Sequence, residues 1–146
     1  MFMRTITVGM LVLVAGLAAM AGTAQARWVP SQADEQRARW IALAYWDQTR
    51  EPCRGRVQVG WAPFKRKINA RSFWPPNQRF CHVWFNERLR WDWAKYCTIM
   101  VHEYGHLVTG RERHSYDPYN VMYRAYVQPL AECLVEPAPA APAEAP

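Results

Sequence analysis

The 146-residue chain has no Cys-x-x-Cys spacing, no internal repeat, and no stop-transfer flank beside its N-terminal apolar run. The first absence discounts a cysteine-ligated zinc site, which is built on such pairs. The second excludes a solenoid or repeat array. The third, with an apolar run short for a bilayer crossing, argues against a retained membrane anchor. No long segment separates residue 26 from the first expected helix, so no latency device is expected. Acidic side chains are also scarce, 12 Asp and Glu against 18 Lys and Arg, for a net charge of +6.

The N-terminal run has the parts of a secretory signal. Arg4 supplies a positive start, Ile6 to Met20 an apolar stretch, and Ala24-Gln25-Ala26 a small-residue cleavage site, so residues 1–26 are expected to be removed. Arg4 leaves with them, and the mature net charge becomes +5. That balance suits attraction to an anionic cell-envelope surface and to acidic substrates. Lys65-Arg66-Lys67 and Arg71, near Phe64, Phe73 and Trp74, imitate a basic-aromatic nucleic-acid patch. So short a cluster reads better as a solvated loop with its aromatics turned inward, and no nucleic-acid partner is expected. The length allows one domain, residues 27–135, expected to be a monomer, with a Pro/Ala-rich tail over 136–146 that should be extended and disordered.

Four cysteines, Cys53, Cys81, Cys97 and Cys133, fit an oxidising destination outside the cell. Of the three possible pairings, Cys53–Cys81 would tie two early segments, and Cys97–Cys133 would fasten a central helix to the C-terminal segment. These two are the pairings favoured.

The coarse pattern is α+β. Ser31 is a natural N-cap for a helix over 32–50 that ends at Glu51-Pro52, with Trp40, Ile41, Leu43, Ala44 and Trp46 as its apolar stripe. Residues 56–61 alternate as a half-buried strand does; 62–78 read as loop with a short strand at most; Phe80 to Phe85 is a second strand. His82 within it is read as a partly buried strand residue rather than a ligand. Val127 to Leu134 is expected to be a short helix.

The centre of the sequence is Cys97 to Tyr123, CTIMVHEYGHLVTGRERHSYDPYNVMY. On a helix, His102 and His106 stand one above the other and can reach one metal ion. Glu103 is about 100° further round, beside the metal rather than on it. Trp93, Cys97, Met100, Val101, Tyr104, Leu107 and Val108 gather on the opposite side, giving an apolar back and a polar front. Asp92 is the expected N-cap and Gly110 the expected stop. Gly105 costs roughly 1 kcal/mol against Ala inside a helix, which suggests a close approach there.

With the segment that follows it, His102-Glu103-Tyr104-Gly105-His106 resembles the metzincin zinc peptidases, especially the matrixin-like and small secreted bacterial members. The shared features are Gly110, His114-Ser115, Asp117-Pro118 and Val121-Met122-Tyr123. The resemblance implies a small zincin-like domain with a short twisted sheet, an N-terminal helix, a metal-binding helix and a Met-turn. It implies Zn2+ held by His102, His106 and His114, Glu103 as general base, and Met122 as an apolar floor. It also implies a peptide or protein substrate, paired with the strand before the metal helix, here Phe80 to Asn86; read from its own residues, that segment is equally an ordinary core strand. The chain departs from the pattern in its turn: Gly110 lies four residues after His106 rather than three, and His114 eight after rather than six. Glu112, Asp117 and Glu132 are therefore alternative third ligands. A second function class is open, a non-catalytic, basic, Trp-rich module binding the cell envelope or a partner, with a structural or degenerate metal site.

Overall fold

The structure is a computed structural model that describes residues 27–75 and 80–135; the expected signal segment and the Pro/Ala-rich tail lie outside them. The first helix, α1, Gln32–Tyr45, begins as its sequence predicts. Ser31 Oγ accepts from the Asp34 backbone N–H, and the Asp34 carboxylate accepts from the Ser31 N–H, a reciprocal capping box. The helix stops five residues short of the expected end, at Tyr45. Its buried residues are Ala38, Ile41 and Ala42, with Leu43 and the capping Trp46 half-buried against the core; of the expected stripe, Trp40, 69% exposed, and Ala44 face solvent instead. The two alanines let α1 lie close against the central helix, which a tryptophan at the contact would prevent.

After α2, a single turn over Pro52–Gly55 with Cys53 and Arg54 in the left-handed region, come strands β1, Val57–Ala62, β2, Ala70–Phe73, and β3, Cys81–Asn86. The sheet order is β1-β3-β2, with β1 parallel and β2 antiparallel to β3. Cys81, Val83 and Phe85 of β3 are fully buried, whereas Trp84 is exposed on the outer face, which is the alternation the sequence shows. Since β3 is hydrogen-bonded on both sides, it cannot take a further strand. Of the two readings of Phe80 to Asn86, the core strand is observed and the substrate-pairing edge is corrected: the antiparallel edge is β2, inside the stretch read as loop with a short strand at most.

The third helix, α3, Trp93–Thr109, is capped by Asp92, whose side chain accepts from Lys95 N at 2.8 Å, and closed by Gly110 at φ 62°. Both caps are as expected. Every residue from Tyr96 to Leu107 is buried, because α1 packs on one side and β2 and the later turns rise on the other, leaving the histidine face at the floor of a cleft. The disulfides are Cys53–Cys81 and Cys97–Cys133, as favoured. The second anchors a 3-10 turn, η1, Ala131–Cys133, which is all that forms of the helix expected over Val127 to Leu134.

Candidate metal centre

His102 and His106 are presented by adjacent turns of α3 and are only 8% and 5% exposed. Each ring is fixed from behind. His102 Nδ1 lies 2.6 Å from the Val121 carbonyl oxygen, and His106 Nδ1 lies 2.6 Å from that of Arg111. A carbonyl only accepts, so each Nδ1 carries the proton and each Nε2 keeps a lone pair. The two Nε2 atoms are 3.2 Å apart. With both protons already engaged at Nδ1, two lone pairs face each other, a repulsive arrangement that a shared cation would turn into an attractive one. Two nitrogens bound at 2.0–2.1 Å to a tetrahedral ion stand about 3.3 Å apart. The pair is therefore spaced as ligands of one metal.

His114 completes the group. The ligand atoms of His102, His106 and His114 all lie within 4.8 Å of one another. Its ring centroid is 5.2 Å from that of His102 and 4.8 Å from that of His106. The longer turn is accommodated at its start. Gly110 ends the helix in the left-handed region, its N–H donates to the His106 carbonyl at 2.9 Å, and Arg111 turns its own carbonyl back onto the His106 ring. The extra residues then loop outward through the exposed 112–114 stretch before His114 returns. Among the described residues, no carboxylate joins this group: Glu112, Asp117 and Glu132 are not part of it. Asp117 instead accepts from Tyr119 N at 2.9 Å, and Glu132 sits in η1. His82 stands between Phe80 and Trp84 on the outer face of the sheet, outside the group as expected.

Gly105 explains itself here. A side-chain carbon at this position would collide with the Trp46 ring on one side and with Met122 Sδ on the other. The Trp46 indole N–H donates to the Val101 carbonyl at 2.8 Å, and the Met122 turn is tied by Ser115 N to Met122 O, also 2.8 Å. The methionine thus packs onto the helix backbone at Gly105.

Burial governs the electrostatics. It holds His102 down to about 4, helped by His106 and His114 and opposed by the hydrogen bond to Val121. His114 is also lowered, by burial first and then by His106 and Arg124. Neutral imidazole is the form that binds metal. Glu103, 4% exposed, is pushed up to about 7 by burial, with hydrogen bonds from the Ser72 side chain and backbone, and the Arg71 charge, acting in the opposite direction. Ser72 is a site residue that the sequence did not disclose. It lies in a four-residue strand with no motif around it.

A cleft of about 740 Å³ runs past the histidines. The β2 edge, Ala70–Phe73, forms one wall, and the segment from Pro118 to Leu130 forms the other. The two disulfides are compatible with an extracellular protein, and no helix among the described residues is long and apolar enough to cross a membrane. Three histidines with converging nitrogens can hold a metal ion, with a buried carboxylate beside them and an open cleft in front. Compared with protein-family models, with curated proteins and with solved structures, the chain matches none.

Proposed function

We propose that the chain is a small secreted zinc endopeptidase with a zincin-like fold. The observation that carries the reading is the facing pair of Nε2 lone pairs on α3, closed by His114 and flanked by Glu103. Three imidazoles, with a cleft left for substrate and water, make a donor set suited to catalytic zinc. His102, His106 and His114 would hold the zinc, which would supply Lewis-acid chemistry at the floor of the cleft. Glu103 takes a proton from the attacking water at its carboxylate and passes it to the leaving amine. Its raised proton affinity suits a group that must both accept and release a proton near neutrality. The free edge of β2 offers backbone groups for an extended peptide laid along the cleft.

Elemental analysis and a peptidase assay on the oxidised mature protein test this together. Near-stoichiometric zinc with turnover in wild type, and zinc without turnover in Glu103→Gln, is the expected pair of results. Comparable turnover in the mutant would sink the mechanism.

One observation favours a second reading, an envelope-binding module. Phe73, Phe80 and Trp84 are 58%, 44% and 37% exposed and surround His82 on the outer face of the sheet. Binding of the Glu103→Gln protein to isolated cell walls, lost on replacing Trp84 and Phe73 with Ala, would establish that role independently of catalysis.

A further inference from the structure

The charged side chains along the cleft are unevenly distributed. Arg71 lies on the strand wall with Lys67 in the turn before it, and Arg124 lies on the opposite, loop wall. Among the described residues lining it, the carboxylates are Glu103, which is buried at the metal group, and Glu112. Arg71 and Arg124 flank the centre: the first is near enough to Glu103, and the second to His114, for each charge to be felt there. Neither guanidinium has a carboxylate partner among the ion pairs of the described residues, which are Arg39 with Glu35 and with Glu51. The Arg71 guanidinium instead lies 5.6 Å from the Phe64 ring centre, held over the wall of the cleft. An exposed cation without a protein partner, fixed beside a groove, is available to a ligand.

The geometry points to a substrate preference: the cleft takes peptides carrying Asp or Glu side chains close to the bond presented to the metal group, with Arg71 and Arg124 as the specificity-determining residues. This rests on the peptidase reading of the same site. A cleft with an excess of positive over negative charge raises the local concentration of anionic groups and disfavours cationic ones. The overall basic balance of the chain acts in the same direction at longer range, and Arg71 and Arg124 focus it on the centre.

The test uses one set of peptides in which the residues flanking a fixed apolar residue are Glu, Gln or Lys. Two readouts are taken: kcat/KM with the wild-type zinc protein, and anisotropy binding to Glu103→Gln, which needs no turnover. Glu peptides should exceed Gln peptides by about tenfold in both, as two partly solvated ion pairs allow. The advantage should shrink between about 0.1 M and about 1 M salt as screening shortens the reach of each charge. Arg71→Glu/Arg124→Glu should invert the order so that Lys peptides lead; Arg71→Gln/Arg124→Gln should merely level it, guarding against misfolding of the reversal variant. Equal cleavage and binding of Glu and Gln peptides would overturn the preference and leave the peptidase reading standing. Salt-sensitive binding of Glu peptides with no cleavage of any would do the reverse.

Discussion

The candidate site is assembled from two kinds of structure. His102 and His106 belong to α3, buried along its whole central run, with each ring locked by a backbone carbonyl. His114 belongs to an irregular segment, is exposed, and reaches the other two only because the chain reverses at Gly110. The helix thus holds two ligands in register before any metal arrives, while the third is supplied by a part with little packing of its own. A metal held by all three would take its third ligand from that loop, so part of its binding free energy would go to fixing the loop. The helix pair would set where the ion sits, and the loop how tightly it is held.

The comparison can be broken most severely from the helix side. His102→Ala removes a preorganised ligand and should abolish both zinc retention and turnover, as read by metal content after dialysis; zinc at the wild-type level would show that the facing nitrogens are not its ligands. Glu103→Gln should leave zinc bound and lower kcat by about 100- to 10,000-fold, the range general acid–base catalysis supplies. His114→Ala tests the loop side. It should weaken zinc measurably in competition with a chelator, but less than His106→Ala does, because the lost contact carried an ordering cost. Equal losses would mean the loop is as preorganised as the helix. Gly105→Ala is smaller still: the gain in helix propensity of about 1 kcal/mol is opposed by overlap with Trp46 and Met122, for a net loss of about 1–3 kcal/mol in thermal unfolding.

A further test separates the two groups by pH in the metal-free protein. Glu103 has its folded value raised to about 7. The folded state therefore holds its proton where the unfolded state has lost it, and stability from this group falls as pH rises from the unfolded carboxylate value toward 7. His102 has its folded value lowered to about 4, so its contribution runs the other way: stability is lost as pH falls from the unfolded histidine value toward 4. Glu103→Gln should remove the first slope and leave the second, in urea titrations of chelated protein. An unchanged slope would place the loss elsewhere.

Much of the helix side was legible in the sequence, because periodic residues and caps carry local information. Asp92, Gly110, the i, i+4 histidines and the apolar back of α3 are all local. The disulfide pairs were also the ones favoured. The strand wall was not legible. β2 is four residues long, and its role as an edge depends on β3 pairing on both sides, which is a tertiary fact. Ser72 faces Glu103 for the same reason. Arg39 is a further example: it donates to Glu35, Glu51, the Val57 carbonyl and the Tyr104 hydroxyl, joining α1 to the back of α3 through partners distant in sequence. Trp40 shows the converse error, where hydrophobicity was read as burial although the contact with α3 needed small residues.

The Cys97–Cys133 bridge spans 36 residues and encloses all three histidines, Glu103 and the Met122 turn in one covalent ring. His114 lies in an exposed loop, and an exposed loop is a target for proteolysis. A single nick between residues 110 and 130 would open that ring without releasing either end: the two pieces would stay joined through sulfur, migrate as one under non-reducing conditions and separate only on reduction. The bridge therefore does more than brace the helix. It makes the enclosed stretch tolerant of one cut, and ties the survival of a nicked molecule to the redox state of its surroundings.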